Sequence, residues 1–222
     1  MSEVPPPDGT DHLCWIYEDD ESFDAAVERF LAGGLARGER LLCIGDDVVE
    51  RLGGEYPLLP GAGALVERGA LELLTVAEAY DAAGAFSPER QFAYYQAQTQ
   101  RALDDGYTGL RVLAELTALA ADAQRRPELV RWEHLADAFM ASGSGMTAMC
   151  AYRADLSSEA LDDIASVHPV VHSADGGHPA FRVFFDGDRV VLAGSVDTFS
   201  ADRLAHVLAA SPVGAPGCRP GR

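Results

Sequence analysis

Arg111 and Glu115 stand four residues apart inside the apolar run Leu110-Arg111-Val112-Leu113-Ala114-Glu115-Leu116. In a β-strand that spacing puts both side chains on one face. A buried arginine or glutamate is costly unless it is paired or put to use. Two readings therefore stay open: a structural ion pair, or a grip on the polar head of a ligand. Trp132-Glu133-His134 offers a ring that could roof a pocket beside a carboxylate that could fix a polar group. A tryptophan packed in the core is the other reading, and His134 is expected to face solvent or to be satisfied locally. His12 opens an apolar run and Tyr17 closes it, while Asp46, Glu115 and Tyr152 fall at or near the ends of similar runs. Ligands of open α/β sheets bind outside the carboxyl ends of the strands. The candidate ligand-binding set is thus His12, Tyr17, Arg111, Glu115, Trp132, Glu133 and Tyr152. Arg111 and Glu115 are expected to line one cavity within reach of Tyr17 or Glu133, with Tyr17, Arg111 and Trp132 as its walls. His12, Cys14, Glu115, Glu133 and Cys150 are donor types that suit zinc or iron. Nothing in their spacing demands a metal, and neither a cofactor nor a catalytic residue is assigned.

Other chemistries are excluded. The chain has 17 basic residues and every one is arginine, so no lysine is present to form a Schiff base or to neutralise a nucleotide phosphate. The segment Phe30-Leu31-Ala32-Gly33-Gly34-Leu35-Ala36-Arg37-Gly38-Glu39-Arg40-Leu41-Leu42-Cys43-Ile44 resembles the helix, turn and second strand of a RecA-type nucleotide-binding core. Such ATPases place a glycine-rich loop ending in Gly-Lys-Ser/Thr before that helix. Here the stretch is Tyr17-Glu18-Asp19-Asp20-Glu21-Ser22, whose four carboxylates would repel a triphosphate. Those acids read as a solvated helix start. Ser142-Gly143-Ser144-Gly145 links a helix to a strand, the reverse of a nucleophile elbow. The net charge of −18 argues against nucleic acid and anionic membrane as partners.

The elements that must position these residues follow from periodicity. Apolar runs at 13–17, 40–44, 70–76, 110–116 and 146–152 read as strands. Helical spacing covers 21–36, 48–52, 88–105, 127–140 and 157–165, the third opened by Ser87 as N-cap with Pro88 in its first turn. Strand and helix alternate five times, which predicts an α/β domain with a mostly parallel sheet covered on both faces. Residues 170–179 read as a linker. Runs at 180–185 and 190–194 joined by Asp186-Gly187-Asp188 predict a hairpin, and 199–210 a helix capped by Asp197 or Thr198. The boundaries are a flexible lead-in at 1–11, a main domain at 12–169, an appendage at 180–211 and a disordered tail at 212–222. The appendage has too little mass for a core of its own; a partner or a second copy is its expected seat, with docking on the main domain or extension of its sheet as the alternatives. Of the four cysteines, Cys14, Cys43, Cys150 and Cys218, none forms a CxxC pair, and reduced thiols are expected. With no basic leader and no run of membrane-spanning length, a cytoplasmic protein is expected.

His12-Leu13-Cys14-x-x-Tyr17, Phe30-Leu31-x-x-Gly34-Leu35-x-x-Gly38-Glu39, Arg111-Val112-x-x-Glu115, Trp132-Glu133, Cys150-Ala151-Tyr152 and His168-Pro169 together resemble the MEDS sensory domain. The resemblance covers about residues 10–170. It implies a degenerate RecA-like fold and a small hydrocarbon-derived ligand. The chain departs from that family in Trp132, where Tyr-Glu is frequent, and in Thr117-Ala118-Leu119, which lacks an aromatic. Residues 181–210 resemble the opening of a STAS domain of anti-sigma-factor antagonists but end before the phosphorylatable serine. The combined reading is a small-molecule-sensing regulator without ATPase activity, acting on a protein of a sigma-factor pathway, with a homodimer as a further possibility. The alternative is a small metal-dependent or acid–base enzyme using Glu115, Glu133 and His12.

Overall fold

The computed structural model describes residues 11–55, 57–81, 86–173, 176–177, 179–198 and 200–211. The lead-in before Asp11 and the tail after Ser211 lie outside the described residues.

Six parallel strands form one sheet: β1 (His12–Tyr17), β2 (Arg40–Ile44), β3 (Leu71–Leu74), β4 (Leu110–Glu115), β5 (Met146–Arg153) and β6 (Val170–Ser173), in the order β3-β2-β4-β5-β1-β6. β1 and β2 are buried along their whole length, as expected for strands covered on both faces. Helices α1 (Asp20–Arg37), α2 (Asp46–Gly53) and α3 (Ala62–Glu67) cover one face. Helices α4 (Pro88–Asp104), α5 (Thr117–Ala121), α6 (Arg126–Ala141) and α7 (Ser158–Ala165) cover the other. A π-helical turn, Ala77–Asp81, precedes α4.

Local signals set these helices. In α1, Phe23, Ala26, Val27, Phe30, Leu31 and Gly34 form the buried stripe, Asp19 caps the start by accepting Ser22 N–H at 2.7 Å, and Gly38 ends it at φ 76°. That left-handed conformation favours glycine at the helix end. Ser87 caps α4 as expected, with Pro88 in its first turn.

Two segments differ from the sequence reading. Val170–Ser173, read as linker, pairs in parallel with β1 from Leu13↔Val170 to Ile16↔Ser173. Four residues are too few to show a period, but buried Val171 closes the β1 edge. The appendage, expected to await a partner or second copy, packs on its own domain. Hairpin β7 (Phe181–Asp186) and β8 (Arg189–Gly194), joined at Gly187, precede helix α8 (Ala201–Ala210). Phe181, Val183 and Val207 bury themselves against Val130 of α6 and Val167, with Leu204 beside them. The Val183 N–H donates to Ser166 O at 2.7 Å, and Arg203 reaches Asp162 at 2.9 Å and Asp163 at 3.3 Å. The docking follows from chemistry: the alternating face of the hairpin needs cover, and α6 presents an apolar outer side. Helix α6 is consequently buried between the sheet and the appendage.

Candidate functional site

β1 and β5 are neighbours in register, with His12 opposite Ala148, Cys14 opposite Cys150 and Ile16 opposite Tyr152. Because strand side chains alternate, His12, Cys14, Cys150 and Tyr152 all face α6. From α6, Glu133 and Asp137 meet them; four residues apart, they share one helix face. His168 enters from the segment between α7 and β6. All of these polar side chains are at most 4% exposed.

Their contacts converge on Glu133. Its Oε2 lies 3.3 Å from His12 Nε2, 3.3 Å from Cys150 Sγ and 3.6 Å from His168 Nε2. Its Oε1 accepts the Tyr152 hydroxyl at 2.7 Å. His12 Nδ1 lies 3.2 Å from Asp137 Oδ1, and His168 Nδ1 lies 2.9 Å from the Ile164 carbonyl oxygen. That carbonyl can only accept, so His168 Nδ1 carries the proton and Nε2 is a free lone pair. It has no hydrogen-bond partner among the described residues. The His12 and His168 rings lie 4.1 Å apart.

Burial opposes charge on His12, yet hydrogen bonds to Asp137 and Glu133 outweigh it and raise the imidazole to about 9. Burial likewise pushes Glu133 upward, but the His12 hydrogen bond and the neighbouring imidazoles hold its carboxyl below the ordinary range. His168 is lowered to about 4 by burial and by its neighbour His12. Burial and the nearby Glu133 raise the Cys150 thiol well above normal. Even with the His12 ring 3.6 Å away, burial and Glu133 hold Cys150 as a thiol, a poor nucleophile.

A void of ≈ 10 Å³ touches this cluster, lined by His12, Glu133, Cys150, Trp132, Tyr80 and Tyr95 among others. That is room for about one water-sized sphere. A wider cleft of ≈ 280 Å³ opens at the amino edge of the sheet, between Asp11, His12, Asp137, Pro169 and the hairpin residues Phe184–Gly187.

The sequence-derived set divides into three places. His12, Glu133 and Tyr152 belong to the buried cluster. Tyr17 and Glu115 meet on the opposite face at the carboxyl edge, where the Tyr17 hydroxyl donates to Glu115 at 3.1 Å, as does the Thr117 N–H at 3.3 Å. The Thr117 hydroxyl also donates to Glu115. Arg111 shares that face but pairs with Glu39 instead of Glu115, its guanidinium 4.4 Å from the Phe30 ring centroid. Trp132 is a core residue stacked on Tyr95 at 4.9 Å. No single cavity is walled by Tyr17, Arg111 and Trp132 among the described residues. Glu115 is likewise separated by the sheet from Glu133 and His12, so those three do not form one acid–base centre. His134 is buried, not solvent-facing, with neither ring nitrogen hydrogen-bonded among the described residues; burial lowers it to about 4. Of the donor types noted in the sequence, His12, Glu133 and Cys150 meet, but His168 completes the group where Cys14 and Glu115 were considered. Asp137 was missed, although its spacing from Glu133 was a usable signal.

A sheet of six parallel strands with a buried histidine–carboxylate–thiol cluster under one helix makes this an α/β domain. The sequence profile of the MEDS domain (MEthanogen/methylotroph, DcmR Sensory domain) matches residues 11–169, and the chain belongs to that family. Comparison with curated proteins gave no match. Among the described residues no helix is long and apolar enough to cross a membrane.

Proposed function

We propose that this MEDS protein senses a small molecule at the amino-edge cleft and reports it through the hairpin. One observation carries the reading. The Asp137 carboxylate holds His12 with Oδ1 and accepts the Phe185 backbone N–H with Oδ2 at 2.6 Å. The same cleft is walled by Phe184 and Phe185 and floored by His12 and Asp137. A ligand there touches both the buried cluster and the appendage, and the shared carboxylate couples the two. Its size suits a small ligand, in keeping with the hydrocarbon-derived class that the family resemblance implies.

The output in this reading is a protein of a sigma-factor pathway. The STAS-like pattern of residues 180–211 supports it, as does the outer side of the appendage, where Leu192 is 53% and Leu208 51% exposed. ATP hydrolysis has no part in the mechanism: the turn from β1 to α1 presents Asp19, Asp20 and Glu21 where phosphate would sit, and the chain has no lysine.

The test is a thermal-shift and native mass-spectrometry panel of short-chain alcohols, aldehydes, amines and halides on the full chain. A member that binds one per chain and stabilises wild type, but binds more weakly to Phe184→Ala and Asp137→Asn, supports the reading. Binding unaffected by both substitutions places the ligand elsewhere and overturns it.

A further inference from the structure

We propose that His12, Glu133, Cys150 and His168 form a tetrahedral site for one zinc-class divalent ion. The proposal goes beyond small-molecule sensing and stands on donor geometry alone.

The four donor atoms lie within 4.8 Å of one another. Zinc binds thiolate at about 2.3 Å and imidazole or carboxylate at about 2.0–2.2 Å, so the edges of its tetrahedron are about 3.3–3.7 Å. Four of the six separations fall in that range: His12 Nε2 to Glu133 Oε2 is 3.3 Å, Cys150 Sγ to Glu133 Oε2 is 3.3 Å, His12 Nε2 to Cys150 Sγ is 3.6 Å and His168 Nε2 to Glu133 Oε2 is 3.6 Å, while the pairs of His168 with His12 and Cys150 lie within 4.8 Å and close by a small shift of the His168 ring on loading. Adjacent space admits about one water-sized sphere.

Three of the four donors are also oriented from behind. Asp137 engages the far nitrogen of His12, the Ile164 carbonyl holds the far nitrogen of His168, and the Tyr152 hydroxyl takes the other oxygen of Glu133. Metal-binding histidines almost always show such a partner, which fixes the tautomer and aims the lone pair. His168 is the most telling member: its Nε2 is fully buried and aimed at the cluster, with no hydrogen-bond partner among the described residues. Hydrogen bonding alone leaves that atom unsatisfied, which is unfavourable for a buried acceptor.

Charge balances as well. The Glu133 carboxylate and a Cys150 thiolate together neutralise a divalent cation, leaving a neutral centre in the core. Loading releases the Cys150 thiol proton and any proton on His12 Nε2 to solvent. Mixed sulfur, nitrogen and oxygen donors suit zinc, with ferrous iron and cobalt as chemical relatives. Four protein donors close the coordination sphere, the pattern of a structural ion and not of a hydrolytic one.

The experiment uses the full chain. Metal content is measured as purified; after chelator treatment and dialysis, Co²⁺ is titrated as the spectroscopic probe. The expected result is one Co²⁺ per chain with tetrahedral ligand-field bands and a thiolate-to-cobalt charge-transfer band, displaced by stoichiometric Zn²⁺. Cys150→Ser should abolish the charge-transfer band, and His168→Ala should weaken binding by about tenfold or more. If either variant fails to fold by circular dichroism, X-ray absorption of the wild-type cobalt protein decides: one sulfur and three nitrogen or oxygen neighbours support the site. No binding, an octahedral spectrum without a thiolate band, or binding unchanged in folded variants overturns it. Small-molecule binding without metal would contradict this proposal alone, and metal without small-molecule binding would contradict only the sensing reading.

Discussion

Asp137 of α6 accepts the backbone N–H of Phe185 at 2.6 Å, tying the central helix to the hairpin through a side chain whose other oxygen faces His12. Removing that carboxylate leaves the buried His12 ring nitrogen unpaired, at about 1–3 kcal/mol, and the part-buried Phe185 N–H unpaired at a smaller cost. Asp137→Ala should therefore lose about 2–5 kcal/mol in urea unfolding, and Asp137→Asn distinctly less. A loss under about 0.5 kcal/mol for the alanine variant would show that the bridge does not form.

Phe181 tests the docking of the appendage. It is 1% exposed, between α6 and α8. Phe181→Ala should cost about 3–5 kcal/mol, the usual range for a buried phenylalanine, and should lower the melting temperature of the whole chain in one transition. A near-neutral effect would mean that the hairpin does not pack on the domain.

Arg111 and Gly34 should be coupled. A Cβ at Gly34 would lie 2.4 Å from Arg111 Cδ, so the close approach of α1 to this side chain requires glycine. Arg111→Ala leaves Glu39 only its pair with Arg37 at 3.4 Å and should cost about 2–4 kcal/mol, below the full penalty of a stranded buried charge. Gly34→Ala should cost about 1–3 kcal/mol through overpacking. The double variant should be more stable than the sum predicts, because the truncated side chain vacates the space the methyl needs. Additive losses would contradict this packing.

Glu115 gives a signed pH dependence. Burial raises its carboxyl above the ordinary range despite hydrogen bonds from Thr117 and Tyr17. The folded protein thus keeps a proton that the unfolded chain has already lost. This contribution to stability is complete below the ordinary carboxylate pKa and is lost as pH rises through the raised one. Relative to Glu115→Gln, wild type should gain stability as pH falls from neutral, and the difference should level off once both states are protonated. Urea unfolding of both proteins across that range is the check; a difference that grows in the opposite direction would refute it.

The sheet was legible because β1, β2, β4 and β5 are apolar runs bounded by turns or helix signals, and the Asp186-Gly187 turn marked the hairpin. β6 was not legible: four residues between His168-Pro169 and Gly176-Gly177 carry no pattern of their own, and only the open edge of β1 makes them a strand. The short helices α3 and α5 were hidden for the same reason. In the site, His12, Glu133 and Tyr152 were recognisable as polar residues in apolar settings. Arg111 was correctly placed on the face of Glu115, but its long side chain reaches Glu39 at the end of the preceding helix–strand turn. Spacing within a strand fixes the face; which of several carboxylates an arginine reaches depends on how the helices settle. His168 stands in the sequence only as part of the His168-Pro169 pair of the family resemblance, and its approach to Glu133 depends on the long-range meeting of α6 with the start of β6.

The central claim is that ligand at the amino-edge cleft reaches the hairpin through Asp137. Hydrogen exchange of the β7 amides, with a binding compound from the panel present and absent, tests it most directly. The account predicts greater protection of the Phe185 amide and its neighbours on binding in wild type, and a clearly smaller response in Asp137→Asn at matched ligand occupancy. Full occupancy with unchanged β7 exchange, or protection confined to the carboxyl edge around Tyr17 and Glu115, would contradict it.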